Sequence, residues 1–142
     1  MVDYKKQLEN IKNYIKKYND YLTPIEEYTI IDDFIDFDRY KQNFIIFIEI
    51  DNINYPITNF NDDCGGIQKM TFNIYLVFRG DTPANLNNKM LNASSSFYEL
   101  IKHNDIENIM NTNINRVDFF KYIEGSKNII SSKFTIQFDM EI

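Results

Sequence analysis

Two segments far apart in the chain alternate their side chains with a period of two, and this pattern constrains the fold more than any other feature. In KMTFNIYLVFR one set of positions holds Met70, Phe72, Ile74, Leu76 and Phe78, and the set between them holds Thr71, Asn73, Tyr75 and Val77. In SKFTIQFDMEI the apolar set is Phe134, Ile136, Phe138, Met140 and Ile142, and the polar set is Thr135, Gln137, Asp139 and Glu141. Such alternation is typical of strands, and it predicts a sheet that is packed on one face and wet on the other.

Two other segments have helical periodicity instead. Near the N-terminus, apolar side chains recur at spacings of four and three and predict a first helix: Tyr4, Leu8, Ile11, Ile15, Tyr18 and Leu22. After the first of the two strands a second series predicts another helix: Leu86, Met90, Ala93, Phe97 and Leu100. The first stripe covers only about three heptads, so packing on the chain's own sheet is favoured over a coiled coil.

The remaining segments give two further strands and one ambiguity. NFIIFIEI, residues 43–50, is almost entirely apolar and predicts a strand buried on both faces and central in the sheet. VDFFKYIEG predicts a strand that precedes the last one, with Gly125-Ser126 between them and a short turn at DIENIM before it. Residues 24–38 begin like a helix after Thr23-Pro24, but YTIIDDFIDF also has the composition of a strand.

These elements predict one α+β domain that spans residues 1–142. We expect a mostly antiparallel or mixed sheet of about four to five strands, with helices packed on one face and the order α-β-β-α-β-β. The hydrophobic fraction of 44% and the 22 Phe and Tyr residues are sufficient for a packed core without metals or disulfides.

Charge and cysteine content limit the partners and the cellular compartment that are expected for the protein. The net charge is −6, and residues 23–66 hold two basic against ten acidic side chains. An acidic middle disfavours nucleic-acid binding, which needs a concentrated basic face. Cys64 is the only cysteine, so no intramolecular disulfide forms, and a reducing compartment is expected. MVDYKKQLEN is unlike a signal peptide, and no stretch reaches the roughly 20 apolar residues of a membrane span, so a cytoplasmic protein, or one released by lysis, is predicted.

The tripeptide Arg79-Gly80-Asp81 matches a known adhesion signal but also fits the start of a helix. Gly80 suits the sharp turn after a strand, and Asp81 or Thr82 offers a side-chain oxygen to the first N–H groups of the helix. Pro83 suits the first helical position because its missing donor costs nothing there. The sequence therefore predicts helix initiation rather than adhesion.

No residue pattern predicts a catalytic, cofactor or metal site. His103 is expected at the end of the second helix, where an imidazole meets the carbonyl end of the dipole, and a Cys64–His103 pair has no supporting motif. Gly65-Gly66 lacks the further residues of a nucleotide loop and predicts a turn. Six acids have the chemistry to coordinate Ca²⁺ or Mg²⁺ or to form a carboxylate pair, but their spacing does not match a calcium loop and favours a solvated face: Asp32, Asp33, Asp36, Asp38, Asp62 and Asp63.

TFNIYLVFRG, leading through DTPANLNNKM into a helix and then an aromatic hairpin that ends FTIQFDMEI, resembles the tail-terminator and head-to-tail joining proteins of long-tailed bacteriophages. The resemblance covers length, element order and strand patterning over most of the chain. It implies a non-enzymatic ring subunit, a homo-hexamer that caps the tail tube and contacts the tube and head-completion proteins. It also implies assembly in the host cytoplasm and a final place in the virion, without nucleic-acid sequence recognition or a membrane. The aromatic segment 28–50 and the acidic loop 51–66 depart from that pattern.

Two other function classes stay open. The acidic segment 23–66 fits an inhibitor, such as an immunity protein or antitoxin, that masks a basic enzyme by charge complementarity. An enzyme is the third class and lacks a supporting constellation. For a ring, the final strand and the loop 51–66 are expected to offer the edges on which copies meet.

Overall fold

The structure is a computed structural model that describes residues 3–17, 28–33, 39, 42–54, 67–80, 82–103, 106–124 and 127–141. Its two helices are α1 (Tyr4–Lys17) and α2 (Pro83–Lys102). Its five strands are β1 (Tyr28–Ile31), β2 (Phe44–Asn54), β3 (Ile67–Gly80), β4 (Ile109–Glu124) and β5 (Lys127–Glu141). The fold is α+β as predicted, but the element order is α-β-β-β-α-β-β.

The extra strand comes from the segment that the sequence left ambiguous. Tyr28–Ile31 is a strand, which fits its β-branched and aromatic composition. β1 lies parallel to β2, whereas the β2–β3, β3–β5 and β5–β4 pairs are antiparallel. The result is one mixed sheet with the strand order β1-β2-β3-β5-β4.

β3 and β5 have the predicted alternation. The five apolar members of the β3 pattern are all buried, and so are Phe134, Ile136, Phe138 and Met140 of β5. The intervening Thr135, Gln137 and Asp139 are half-buried, and Ile142 lies outside the described residues. β2 is an interior strand as expected, but β3 occupies the middle of the sheet.

Both helices contribute to one main core against one face of the sheet. α2 lies over β3 and β5, and α1 over β2. All five apolar residues predicted for the second helix are buried, and Phe97 packs edge-on against Phe134 with ring centroids 4.9 Å apart. The Tyr14 hydroxyl joins the two helices by donating to the Leu100 carbonyl at 2.7 Å.

The buried face of α1 differs from the predicted stripe. Ile11 and Ile15 are buried as expected, but Tyr4 at the first turn is exposed and Tyr14 is buried instead. The helix is described as far as Lys17, so the predicted contacts of Tyr18 and Leu22 lie outside the described residues.

The two last strands are longer than predicted. β4 begins eight residues before Val117 because the turn within DIENIM ends at Asn108 and the strand follows at once. Asn108 has φ 67°, a left-handed conformation that asparagine tolerates better than most residues. β5 begins at Lys127, and the predicted Gly125-Ser126 connection lies outside the described residues.

The Arg79-Gly80-Asp81 segment does lead from a strand into a helix. Thr82 is the N-cap of α2, Pro83 stands in its first turn, and the Leu86 N–H donates to the Thr82 carbonyl at 3.1 Å. The predicted side-chain cap is absent at Thr82, and Asp81 lies outside the described residues. Gly80 permits the Leu86 side chain to approach the backbone closely, because a Cβ added at residue 80 would lie 3.0 Å from Leu86 Cδ2.

Candidate interaction surface

β4 forms one end of the sheet and carries apolar side chains on both of its faces. Among the described residues, β5 is its only hydrogen-bonded strand neighbour. Its C-terminal half holds five apolar side chains, here named the aromatic edge: Val117, Phe119, Phe120, Tyr122 and Ile123. Ile123 is 74% exposed and Phe119 is 53% exposed. Contiguous apolar exposure of this kind marks interaction sites in soluble proteins.

The two halves of β4 differ in regularity. The pairing with β5 shifts between Ile109 and Asn111 and again between Ile114 and Arg116, so the Asn-rich half is bulged. From Arg116 to Glu124 the pairing is continuous. Bulges are a common protection of sheet edges against further pairing. The C-terminal half of β4 has no bulges. The backbone groups beside the aromatic edge therefore keep the regular spacing of a strand.

A groove runs between α2 and β4 on the helix-covered face. It exists because α2 packs mainly over β3 and β5, so that no helix of the described residues covers the inner face of β4. The groove has a volume of about 490 Å³, with Phe119, Val117 and Phe134 on the sheet side. Leu91 and Tyr98 of α2 line it and are both more than 40% exposed.

The helix-free face carries a polar patch made of Glu49, Asn73, Tyr75, Arg116, Asp118 and Lys133. Glu49 Oε1 accepts hydrogen bonds from Asn73 Nδ2 at 3.1 Å and from the Tyr75 hydroxyl at 3.2 Å. Burial, together with the negative charge of Glu49, raises the pKa of Tyr75 to about 12. Lys133 Nζ lies 5.7 Å from the centre of the Tyr75 ring, within cation–π distance.

The β4 part of the polar patch is an ion pair. Arg116 Nη2 donates to Asp118 Oδ1 at 2.7 Å, and this bond lowers the pKa of the Asp118 carboxyl. With Phe120 beside it, the pair lines a shallow depression of about 440 Å³ on the helix-free face. Positive and negative groups alternate here, so the patch suits a polar protein surface better than a ligand of one charge sign.

Of the residues that the sequence singled out, those that the structure describes are not brought together. His103 is the C-cap of α2, as predicted, with its N–H directed to the Glu99 carbonyl at 3.3 Å. Arg79 Nε donates to Asn43 Oδ1 at 3.2 Å, which anchors it to the start of β2. Cys64 and Gly65-Gly66 lie outside the described residues.

The acidic residues are dispersed in ion pairs where they are described. Lys12 Nζ lies 3.1 Å from Asp32 Oδ2, and Arg39 Nη1 lies 3.5 Å from Asp33 Oδ2. Asp36, Asp38, Asp62 and Asp63 fall outside the described residues. Within the part of the chain that is described, no group of three His, Cys, Asp or Glu side chains is placed to hold a metal ion.

Sequence reasoning missed the aromatic edge as a candidate site and placed the interaction edges on the final strand and the loop 51–66. The assignment to the final strand was wrong, because β5 lies between β3 and β4. Residues 51–54 of the predicted loop belong to β2, and residues 55–66 lie outside the described residues. A signal was present in VDFFKYIEG, where apolar residues break the period-two pattern and so supply both faces of one strand. Only the strand order shows that both faces of this strand are exposed.

No protein-family model matches the chain, and no curated protein matches it. Neither helix of the described residues has the length and apolar character needed to cross a membrane. The surface itself is therefore the basis for a functional assignment.

Proposed function

We propose that the protein is a structural, non-enzymatic subunit of a long-tailed bacteriophage, a tail terminator or head-to-tail joining protein. Copies assemble into a homo-hexameric ring that caps the tail tube, and the ring contacts the tube protein and the head-completion protein. Assembly takes place in the host cytoplasm, and the ring remains in the virion. The observation that carries the proposal is the aromatic edge of β4, since a subunit of a ring needs an apolar surface that a monomer leaves uncovered.

The exposed area is of the size that a subunit contact needs. Aromatic side chains present on the order of 200 Å² each, and Phe119, Phe120, Tyr122 and Tyr98 are each about half exposed. With Leu91 and Ile123 they offer roughly 600 Å² of apolar surface, close to the about 800 Å² per partner of a standard interface. The flanking polar patch would supply a charged rim.

The resemblance of the chain to tail terminators supports the same function. A helix precedes the sheet, a second helix follows β3, and an aromatic hairpin ends the fold. The fold also has two different ends, β1 and β4, and contacts between unlike surfaces generate rings when the rotation closes.

Matched Ile→Lys substitutions test the proposal. Ile123→Lys places a charge in the aromatic edge, and Ile67→Lys places one at an Ile that is 43% exposed at the start of β3. We expect wild type and Ile67→Lys to assemble into rings as concentration rises, and Ile123→Lys to remain monomeric. Mass photometry and light scattering across a wide concentration range measure this.

Tail morphology tests the biological role directly. In negative-stain images, particles produced without the protein, or with Ile123→Lys, should have tails of uncontrolled length. Tails of normal length in the absence of the protein would refute the terminator function. A tight one-to-one complex with a basic enzyme would establish an inhibitor instead. That alternative is less favoured, because Asp32 and Glu49 of the acidic segment already have partners within the chain.

A further inference from the structure

Two strands lie at opposite ends of the sheet, and each has one strand neighbour among the described residues: β1 pairs with β2, and β4 pairs with β5. We propose that β4 of one copy adds to β1 of the next copy, so that the sheet continues from subunit to subunit around the ring. This inference rests on the ring-forming function proposed above and specifies the partner of the aromatic edge.

Strand direction favours this pairing. β1 runs parallel to β2, and three successive antiparallel pairings then lead from β2 to β4. β4 therefore runs opposite to β1. If the ring axis lies along the strands, rotation preserves the direction of β1, so β4 and the β1 of the next copy meet antiparallel. Antiparallel pairs are slightly more stable per residue than parallel ones, and this arrangement keeps all helix-covered faces on one side of the ring.

Apolar and charged side chains favour one register of β4 against β1 of the next copy. Ile30 packs with the main core and Ile31 with the cluster on the helix-free face, and residues opposite each other in a ladder must share a face. Phe119 lies on the helix-covered face, in the groove beside α2. Setting Ile30 opposite Phe119 joins two apolar residues and brings Arg116 close to Asp33, which lies two residues beyond the end of β1.

Shifts of two residues remove the favourable charge contact. In one direction the shift sets Asp33 beside Asp118, and like charges directly opposite destabilise a sheet. In the other direction it moves Asp33 to Ile114, so that the contact with Arg116 is lost. Asp33 is ion-paired at the surface with Arg39 in the single chain, so Arg116 of the next copy would add a second partner to a carboxylate that stays accessible.

The proposed pairing uses the part of the β4 edge that has no bulges. Tyr28–Ile31 would face β4 residues 118–121, inside the continuous part of the β4–β5 pairing. The bulged half of β4 would extend beyond the end of β1, where no strand addition is required. The bulges therefore restrict addition to the segment that carries the aromatic edge.

Disulfide trapping tests the register. In a Cys64→Ser background, Ile30→Cys with Phe119→Cys places two thiols on directly opposed positions of neighbouring copies, at a Cβ separation suited to a disulfide. The pair Thr29→Cys with Phe120→Cys probes the other face and leaves the core residue Ile30 intact. After oxidation, non-reducing gels should show a ladder of covalent oligomers up to the ring, with most chains cross-linked. Each single-cysteine variant is the control and should give no ladder.

The outcomes separate this inference from the proposed function. Mass photometry of the reduced proteins, and images of purified tails, report whether rings form. Rings without a ladder from either cysteine pair would overturn β4–β1 addition in this register and leave the ring function standing. Covalent dimers from Phe120→Cys alone would also overturn it, because they require a two-fold contact between β4 strands. Failure to self-associate, with tails of normal length, would overturn both.

Discussion

β3 and β4 are of similar length and similarly rich in Ile, Val and Phe, but they differ in exposure. Phe72 in β3 is fully buried, whereas Phe119 in β4 is 53% exposed. β3 has a strand on each side and α2 packed on it, whereas β4 is at the end of the sheet and a groove separates it from α2. Position in the sheet, rather than composition, therefore decides whether the rings of an aromatic strand are buried or exposed.

The largest expected difference between the two strands is in the cost of removing a phenylalanine. Phe72→Ala should lower the free energy of unfolding by about 3–5 kcal/mol, because it leaves a cavity in a packed core. Phe119→Ala should lower it by less than about 1 kcal/mol in the monomer, since water already contacts that ring. Urea unfolding at low protein concentration measures both free energies. Equal losses for the two variants would show that the two rings do not differ in burial in solution.

A second test concerns Gln68, a polar side chain that is buried in β3. Gln68 is fully buried, and neither atom of its amide has a hydrogen-bond partner in the described part of the chain. Gln68→Met keeps the volume and should raise the free energy of unfolding by about 1–2 kcal/mol. Gln137→Met, at a half-buried glutamine whose amide donates to Asp139, is the matched control and should change it little. A destabilised Gln68→Met variant would mean that the amide makes a favourable interaction.

The contribution of the β3 residue Tyr75 to the free energy of unfolding depends on pH. Its pKa is raised to about 12 by burial and by Glu49, so its neutral form is favoured in the folded state. The stability that it contributes is therefore complete below pH 10 and is lost as pH rises towards 12. Tyr75→Phe should cost about 1 kcal/mol at pH 8, and the difference from wild type should narrow by pH 11.

NMR titration of the tyrosine ring carbons checks this directly. Tyr98→Phe, at an exposed ring on α2, controls for the loss of a surface hydroxyl. An ordinary pKa at Tyr75 would show that the bond to Glu49 does not persist in solution.

The smallest effect is expected at the exposed pair on β4. Arg116 lowers the pKa of Asp118 mainly through their hydrogen bond, so Arg116→Ala should move that pKa back towards its usual value. Because the pKa of Asp118 is depressed in the folded state, its contribution to stability is present at neutral pH and is lost as pH falls. Since the pair is at the surface, stability at neutral pH should barely change. Carboxyl NMR titration measures the shift, and Lys133→Ala should produce a smaller one.

Much of the fold was predictable because local periodicity records which face of an element is packed. The buried positions of α2, β3 and β5 follow directly from such patterns. β1 stayed ambiguous because four residues are too few to establish a period. The cap at Thr82 was predicted from residue type alone, but no side-chain bond forms there.

The candidate site was less predictable, because it depends on strand order. Whether VDFFKYIEG is an interior strand or the end of a sheet is set by the pairing of β5 with β3, which are distant in sequence. The bulges that separate the two halves of β4 also arise from its register with β5. Neither property is encoded in a local pattern of residue types.

The strand order also has a consequence for folding kinetics. β2 with β3 and β4 with β5 are hairpins of neighbouring strands, whereas the β3–β5 ladder joins Gly80 to Asn128 across α2 and β4. Non-local ladders form slowly because loop closure must precede their contacts. We therefore expect the two hairpins to form first and the β3–β5 junction to form last. Until that step a chain has two separate half-sheets, so the timing of the junction sets when the five-stranded sheet is complete.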